Sequence, residues 1–207
     1  MFKEVLIKNT KEHLALLGRS GILKDAYLAG GTGCALQLGH RVSIDFDFFT
    51  VKPFAPKVVA SELARIAAFE VEEIDKGTVL GKFMGTKFSL FVYQYPLVFP
   101  SLQYLSVSIA DIRDIAAMKI DAISSRGTKR DFVDLYFICQ KNYRLSELLN
   151  IYDKKYGMLA SNLMHIKKSL IYFDDADADV MPVMLKGIEW ADVKKYFERE
   201  VKLIFNN

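Results

Sequence analysis

Three features of the sequence predict an α/β fold of the α+β kind, with a small mixed sheet flanked by helices and a helical C-terminal half. Residues 41–49, RVSIDFDFF, alternate polar and apolar side chains, the period of a half-buried β-strand. A Gly-Gly-Thr turn at residues 30–32 precedes them, followed by a brief helical segment. From Ile109 onward helical periodicity dominates to the C-terminus. The chain has 207 residues, 51% of them apolar, enough for one compact core or for a core with a helical extension. We expect residues 1–108 to form the α/β core. Residues 109–207 would be a helical region that completes the site and packs on that core, with one continuous domain as the alternative.

The elements follow in order. Phe2, Val5, Leu6, Leu14 and Leu17 suggest an amphipathic N-terminal helix packed on the core. A strand is expected near Tyr27, then the glycine turn, then the alternating strand. Residues 56–68 read as a helix with prolines at its entrance. Residues 71–74 and 82–93 read as strands, with Gly77, Gly81 and Gly85 marking turns or bulges. A short strand at 105–108 precedes a helix over 109–126, and another helix starts near Thr128. The closing segment 190–205 has the pattern of an amphipathic capping helix.

The alternating strand carries the chemistry. Arg41, Ser43, Asp45 and Asp47 would share one face, and Val42, Ile44, Phe46 and Phe48 the other. Asp45 and Asp47 would emerge side by side, about 6.6 Å apart along the chain. Such carboxylates repel unless a cation lies between them, and a divalent ion is the natural candidate. Just upstream, Gly30 and Gly31 lack a Cβ and allow close approach of backbone to a ligand. Thr32 is placed to cap the following helix, whose free N–H groups suit phosphate. Phosphate cradle and paired carboxylates together suggest a nucleoside triphosphate with magnesium. The turn is not a Walker loop, since no Gly-Lys-Ser/Thr follows, and Leu36 replaces the third glycine of a dinucleotide fingerprint.

Two helical segments add candidates. In residues 109–126, Ile109, Ile112, Ile115, Ala116, Ile120 and Ile123 cluster on one side, with Asp111, Asp114, Asp121 and Ser125 opposite. Lys119 falls within the apolar stripe, either snorkelling to water or bordering a cleft where its ammonium meets phosphate. In the next helix Asp131 and Asp134 are neighbours on one face. Asp131 could instead serve the helix dipole or pair with Arg126 or Arg130.

The string AGGTGCALQLGHRVSIDFDFF resembles the signature of the DNA polymerase β-like nucleotidyltransferase superfamily. More narrowly, Gly30 to Thr32, the Arg-x-Ser-x-Asp-x-Asp strand at 41–47, Lys119 and the RDFVDLY helix at 130–136 resemble the AbiEii/AbiGii toxin family. The resemblance implies a polymerase β-like core and Mg²⁺ or Mn²⁺ held by Asp45 and Asp47. It implies phosphate binding by Gly30, Gly31, Thr32, Arg41 and Ser43, and charge compensation by Lys119. One of Asp131 and Asp134 would be a further catalytic carboxylate. It also implies an NTP substrate and an RNA acceptor, perhaps tRNA. The chain would be the toxin of a bacterial toxin–antitoxin or abortive-infection pair, with a separately encoded antitoxin. One departure stands out: the neighbouring strand at 87–93, KFSLFVY, lacks the third acid of many superfamily members.

The rest of the composition narrows the field. A formal net charge of +3 neither marks nor opposes a nucleic-acid binder. Cys34 and Cys139 are too few for a disulfide framework and read as buried filler in a reducing compartment. No segment has the apolar length to span a membrane, and a cytoplasmic location is expected. His13, His40 and His165 show no metal spacing, and His40 reads as a surface histidine, with phosphate contact beside Arg41 as the alternative. DDADAD at 174–179 lacks the glycine and glutamate of a calcium loop and reads as a solvated connection. Lysines 154, 155, 167, 168, 194 and 195 read as a charged face, with a tRNA-facing surface as the sharper alternative. Two other functions stay open. One is a non-catalytic nucleotide-binding module, and the other is a transferase acting on a protein or small-molecule hydroxyl.

Overall fold

The computed structural model describes residues 1–6 and 9–205. A seven-stranded mixed sheet runs in the order β3-β4-β5-β2-β1-β7-β6. Its strands are β1 (Tyr27–Leu28), β2 (Phe46–Thr50), β3 (Phe69–Asp75), β4 (Thr78–Phe83), β5 (Thr86–Val92), β6 (Leu102–Tyr104) and β7 (Val107–Ile109). Central β2 is parallel to β5 and antiparallel to β1, and β1 is parallel to β7. The α/β architecture is the one the sequence predicts.

Each face of the sheet carries its own core. Adjacent Phe48 and Phe49 point opposite ways, as successive strand residues do. Phe48 joins Leu14, Leu17, Phe46, Leu63 and Phe88, beneath α1 (Thr10–Ser20) and α3 (Pro56–Ile66). Phe49 packs against the other core, built from α4 (Ile112–Ser125), α5 (Lys129–Gln140), α6 (Leu145–Tyr156) and α9 (Trp190–Phe205). Between the two lies α2 (Gly30–Leu38), with Cys34 and Leu38 in one core and Ala35 and Leu36 in the other. Its sequence, GGTGCALQL, is short of charge all round, as a helix packed on two sides requires.

Several expectations need correction. The N-terminal segment is not one helix: a 3₁₀ turn at Lys3–Val5 precedes α1, although Val5, Leu6, Leu14 and Leu17 are buried as expected. Gly77 and Gly85 turn the chain as expected, with φ of 74° and 79°, and Gly81, inside β4, marks a bulge in its partner strand. A Cβ there would sit 2.3 Å from the Glu70 carbonyl, beside the bulge between Val71 and Glu73. The strand expected at 105–108 is half turn. Leu105 and Ser106 both have positive φ and join β6 to β7 as a two-residue hairpin, without the usual glycine or asparagine.

Buried charge explains two more corrections. Asp114, expected on a solvated face, and Lys155, expected among surface lysines, are both fully buried and 2.8 Å apart. Asp114 also accepts the backbone N–H groups of Val98 and Phe99, so the pair fastens the 98–99 loop to α4 and α6. The acids of the run at 174–179 are exposed, as expected, and two of them also tie helices together. Asp177 in α8 (Asp174–Ala178) accepts from Trp190 and Lys194 of α9, and Asp179 accepts the Lys129 N–H opening α5. The segment between α5 and α8 also holds α7 (Leu159–Ser169). Among the described residues, no helix is long and apolar enough to cross a membrane.

Candidate active site

The alternating segment splits where the chemistry begins. Only Phe46–Thr50 is strand; residues 41–45 are irregular, apart from a bridge between Arg41 and Met184. Burial there is the reverse of the expected pattern: Arg41 and Ser43 are buried, while Ile44 is 44% exposed. The cause is tertiary. Arg41 turns inward to grip Asp134, donating from Nε to Oδ1 at 2.6 Å and from Nη2 to Oδ2 at 2.9 Å.

The glycines are explained by what lies against them. Gly30 has φ +56°, and a Cβ there would fall 2.5 Å from Asp47 Oδ2. At Gly31 a Cβ would fall 2.4 Å from Arg41 Nη2. Thr32 does not cap α2, whose N-cap is Ala29. Its fully buried hydroxyl donates to the Asp45 carbonyl at 2.5 Å and lies 2.9 Å from the Ser43 hydroxyl. Thr32 thus anchors the backbone that presents Asp45.

Asp45 and Asp47 face a small polar pocket of about 150 Å³, lined also by Gly30, Gly31, Arg41, Ser43 and Lys119. The Asp45 carboxylate is 35% exposed, with the Arg130 guanidinium 4.0 Å away. Asp47 lies in register with Ser89 of β5, which donates to its Oδ1 at 2.7 Å. A wider cleft of about 590 Å³ adjoins this pocket across Gly30, Asp47, Lys87, Lys119, Arg126 and Asp131. Its walls include Phe49, Phe91, Tyr93 and Met118.

The helical carboxylates are arranged differently. Lys119 is buried, with Nζ 2.8 Å from Asp131 Oδ1 and 2.6 Å from Asp134 Oδ2. Asp131 also accepts from Thr128 at 2.6 Å and from Arg126 at 3.3 Å. Burial works against its ionisation, but Lys119 and Arg126 outweigh that and hold its carboxyl below the usual range. Burial opposes ionisation of Asp134 too, and Arg41 and Lys119 still hold it well below the usual range. Lys119 is raised above an ordinary lysine by the same two carboxylates, against the effect of burial. Asp131 lines the pocket and the cleft, whereas Asp134 is completely buried behind Lys119.

His40 is the clearest correction. It is fully buried rather than on the surface, with Nε2 2.8 Å from Asp134 Oδ1. Burial pushes its pKa below the ordinary value and outweighs the pull of Asp134, so the ring is neutral and donates through Nε2. Cys34, as expected, is buried and free; burial pushes its thiol well up, which makes it inert.

Two oxygen-bearing clusters can be tested for a cation. Cys34, His40 and Asp134 bring donor atoms within 4.8 Å of one another. Asp134 already carries two cationic side chains and an imidazole, so that cluster does not fit a metal. Asp45 and Asp47 fit a hard divalent ion: both are oxygen donors, both are partly exposed, and Gly30 leaves space at Asp47 Oδ2.

Lys87 and Ser89 escaped the sequence reading, which named Arg126 and Arg130 only as partners for Asp131. Lys87 and Ser89 share a face of β5 by simple alternation. That this face abuts Asp47 depends on strand pairing, which one sequence does not reveal.

The profile of the family described as Nucleotidyl transferase AbiEii toxin, Type IV TA system, matches residues 91–203. That span includes Lys119, Asp131 and Asp134 and leaves out residues 30–47. An uncharacterised protein of Aquifex aeolicus strain VF5 is 38% identical over 209 residues, covering 98% of each chain. Among solved structures, the nucleotidyltransferase toxin MenT4 from Mycobacterium tuberculosis H37Rv is similar with a TM-score of 0.56 at 12% identity, over 94% of this chain and 84% of that one. JHP933 from Helicobacter pylori gives 0.53 at 15% identity, over 97% and 94%. The antibiotic-resistance factor ANT(2'')-Ia gives 0.54 at 10% identity, over 76% and 98%. At such identities the likeness carries the fold.

Proposed function

The chain belongs to the AbiEii family of nucleotidyltransferase toxins, and from that premise we propose that it moves a nucleoside monophosphate from an NTP to RNA. The acceptor class we favour is the 3′ end of tRNA. In the cell the chain would be the toxin of a pair whose antitoxin is separately encoded. The observation that carries this reading is the contrast within the site. Asp45 and Asp47 remain partly exposed beside a basic-lined pocket, while Asp131 and Asp134 are bound to Lys119.

Magnesium or manganese held by Asp45 and Asp47 would, when bound, neutralise triphosphate charge and orient the reacting oxygens. The protein's own groups do the rest. Lys87, Arg126 and Arg130 line the polar pocket with positive charge for the phosphates. Gly30 and Gly31 leave room for the Asp47 and Arg41 side chains at the pocket wall, which Ser43 also lines and where the phosphates would lie. Thr32 and Arg41 are positioning residues: one anchors the Asp45 carbonyl and the other fixes residues 41–43 onto Asp134. Lys119 supplies a fixed charge at the wall of the cleft, which steadies the leaving pyrophosphate without reorganisation. Asp131 aligns that ammonium; a carboxyl held below the usual range is a weak base. Phe49, Phe91 and Tyr93 offer apolar surface to the nucleobase.

The test is transfer of label from each α-³²P NTP into total bacterial RNA, with magnesium, comparing wild type with Asp45→Ala/Asp47→Ala. Label in a tRNA-sized band from wild type alone supports the reading and names the nucleotide. One observation favours a second reading: a serine, not an acid, stands opposite Asp47 on β5. Nucleotide binding with no labelled product of any kind would leave a non-catalytic binding module.

A further inference from the structure

The acceptor needs its own path to Asp47, and one groove beside the cleft has suitable chemistry. It lies between the end of α4 and the segment from α7 to α8, with a volume of about 560 Å³. Arg126, His165, Lys168, Ile171 and Tyr172 are among its lining residues. Ser125 and Arg126 also line the wide cleft, and Arg126 lines the polar pocket as well, so the three spaces meet at one guanidinium. That side chain is 66% exposed and pairs with Asp131 at 3.3 Å.

The walls of the groove are fixed. His165 Nε2 lies 2.7 Å from the Ser124 carbonyl, which fastens α7 to α4. His165 and Lys168 are three residues apart on α7 and therefore neighbours on one face. Tyr172 is 53% exposed and Ile171 41%, so neither is spent on a core. Tyr172 has Asp174 and Asp175 beside its hydroxyl, but its ring is open in the same groove as Arg126 and Lys168, so a base can stack there while those two cations meet phosphates. Among the described residues of the lining Asp175 is the one acid, against the cations Arg126 and Lys168.

We infer that this groove carries an unpaired RNA 3′ end, stacked on Tyr172, with phosphates at Lys168 and Arg126, into the cleft beside Asp47. The inference rests on the reading of this chain as an RNA nucleotidyltransferase. At the end of the path the terminal hydroxyl oxygen bonds to the α-phosphorus as the bond to pyrophosphate breaks. Pyrophosphate leaves with the electron pair, and the hydroxyl proton passes to water in the open cleft.

The experiment is fluorescence anisotropy with a 5′-fluorescein, ten-nucleotide unstructured RNA, in EDTA and without NTP. Wild type is compared with Tyr172→Ala, Tyr172→Phe, Lys168→Ala and the Tyr172→Ala/Lys168→Ala double variant. Loss of the stacking platform should weaken binding about tenfold in the double variant, with Tyr172→Phe near wild type. Lys168→Ala should lower the salt slope by about one, while NTP affinity stays unchanged. Equal RNA affinity in wild type and double variant overturns the groove, as does wild type that binds no RNA. The labelling assay separates the two readings. If wild type labels RNA and the double variant keeps the same KM for RNA, the groove falls and the reaction stands. If label enters only protein or a small molecule, the RNA reading falls and the groove with it.

Discussion

Two carboxylate pairs lie within reach of one cleft, and their surroundings divide the labour between them. Asp45 and Asp47 sit at the start of a central strand, with a serine hydroxyl and a distant guanidinium as neighbours. Asp131 and Asp134 sit on a helix and are claimed by Lys119, Arg41, His40 and Thr128. The spacing of acids says little about which pair can take a cation. What decides is whether the protein has already neutralised them: a compensated buried cluster holds the architecture rigid, and an uncompensated half-exposed pair is left for a ligand.

Removing charge from each pair should therefore have opposite signatures. Asp134→Asn leaves Arg41 and Lys119 short of a partner in the interior and should cost about 3–5 kcal/mol of stability in urea unfolding. Asp47→Asn should leave the midpoint of unfolding near wild type and lower transfer by a factor on the order of 10²–10³. Gly30→Ala couples the two effects. Its positive φ should cost about 1–2 kcal/mol, and a Cβ would displace the Asp47 carboxylate, lowering activity as well. Ser89→Ala removes one hydrogen bond that orients Asp47 and should reduce kcat about tenfold with little change in stability.

Acidification offers a smaller test. His40 is depressed in the folded state, so its contribution is complete above its ordinary value of 6.5 and declines as pH falls below it. Asp131 and Asp134 are also depressed, from 3.8, so their contribution is lost only as pH falls through their still lower folded values. A plot of Tm against pH should be level above 6.5, fall gently below it, and fall steeply under 3.8. His40→Gln should flatten the gentle part and spare the steep one.

Much of this was legible in the residues, and the failures share one cause. Strands β3 and β5 and helices α3, α4, α5 and α9 follow from alternation, helical period and proline entry, which are local signals. Phe46 and Phe48 went to the core as their alternation demands. The reading failed at Arg41, His40, Asp114 and Lys155, each drawn inward by a charge far away in sequence. Arg41 and Asp134 are 93 residues apart, and Lys155 and Asp114 are 41 apart. Periodicity treats charge as a mark of solvent, so it cannot see a pair that buries itself. Ser89 was missed because its place beside Asp47 depends on sheet register, and the β6–β7 turn because its positive-φ residues are Leu105 and Ser106.

The central claim is that the strand pair holds the divalent ion and the helical pair does not. It is tested most directly by titrating Mn²⁺ into the protein and following the free-ion electron paramagnetic resonance signal. Wild type, Asp47→Asn and Asp131→Asn would be compared, each with a saturating NTP and with its fold checked by circular dichroism. The account predicts that Asp47→Asn loses the protein-dependent Mn²⁺ site and that Asp131→Asn keeps it. Retention in Asp47→Asn together with loss in Asp131→Asn would contradict it.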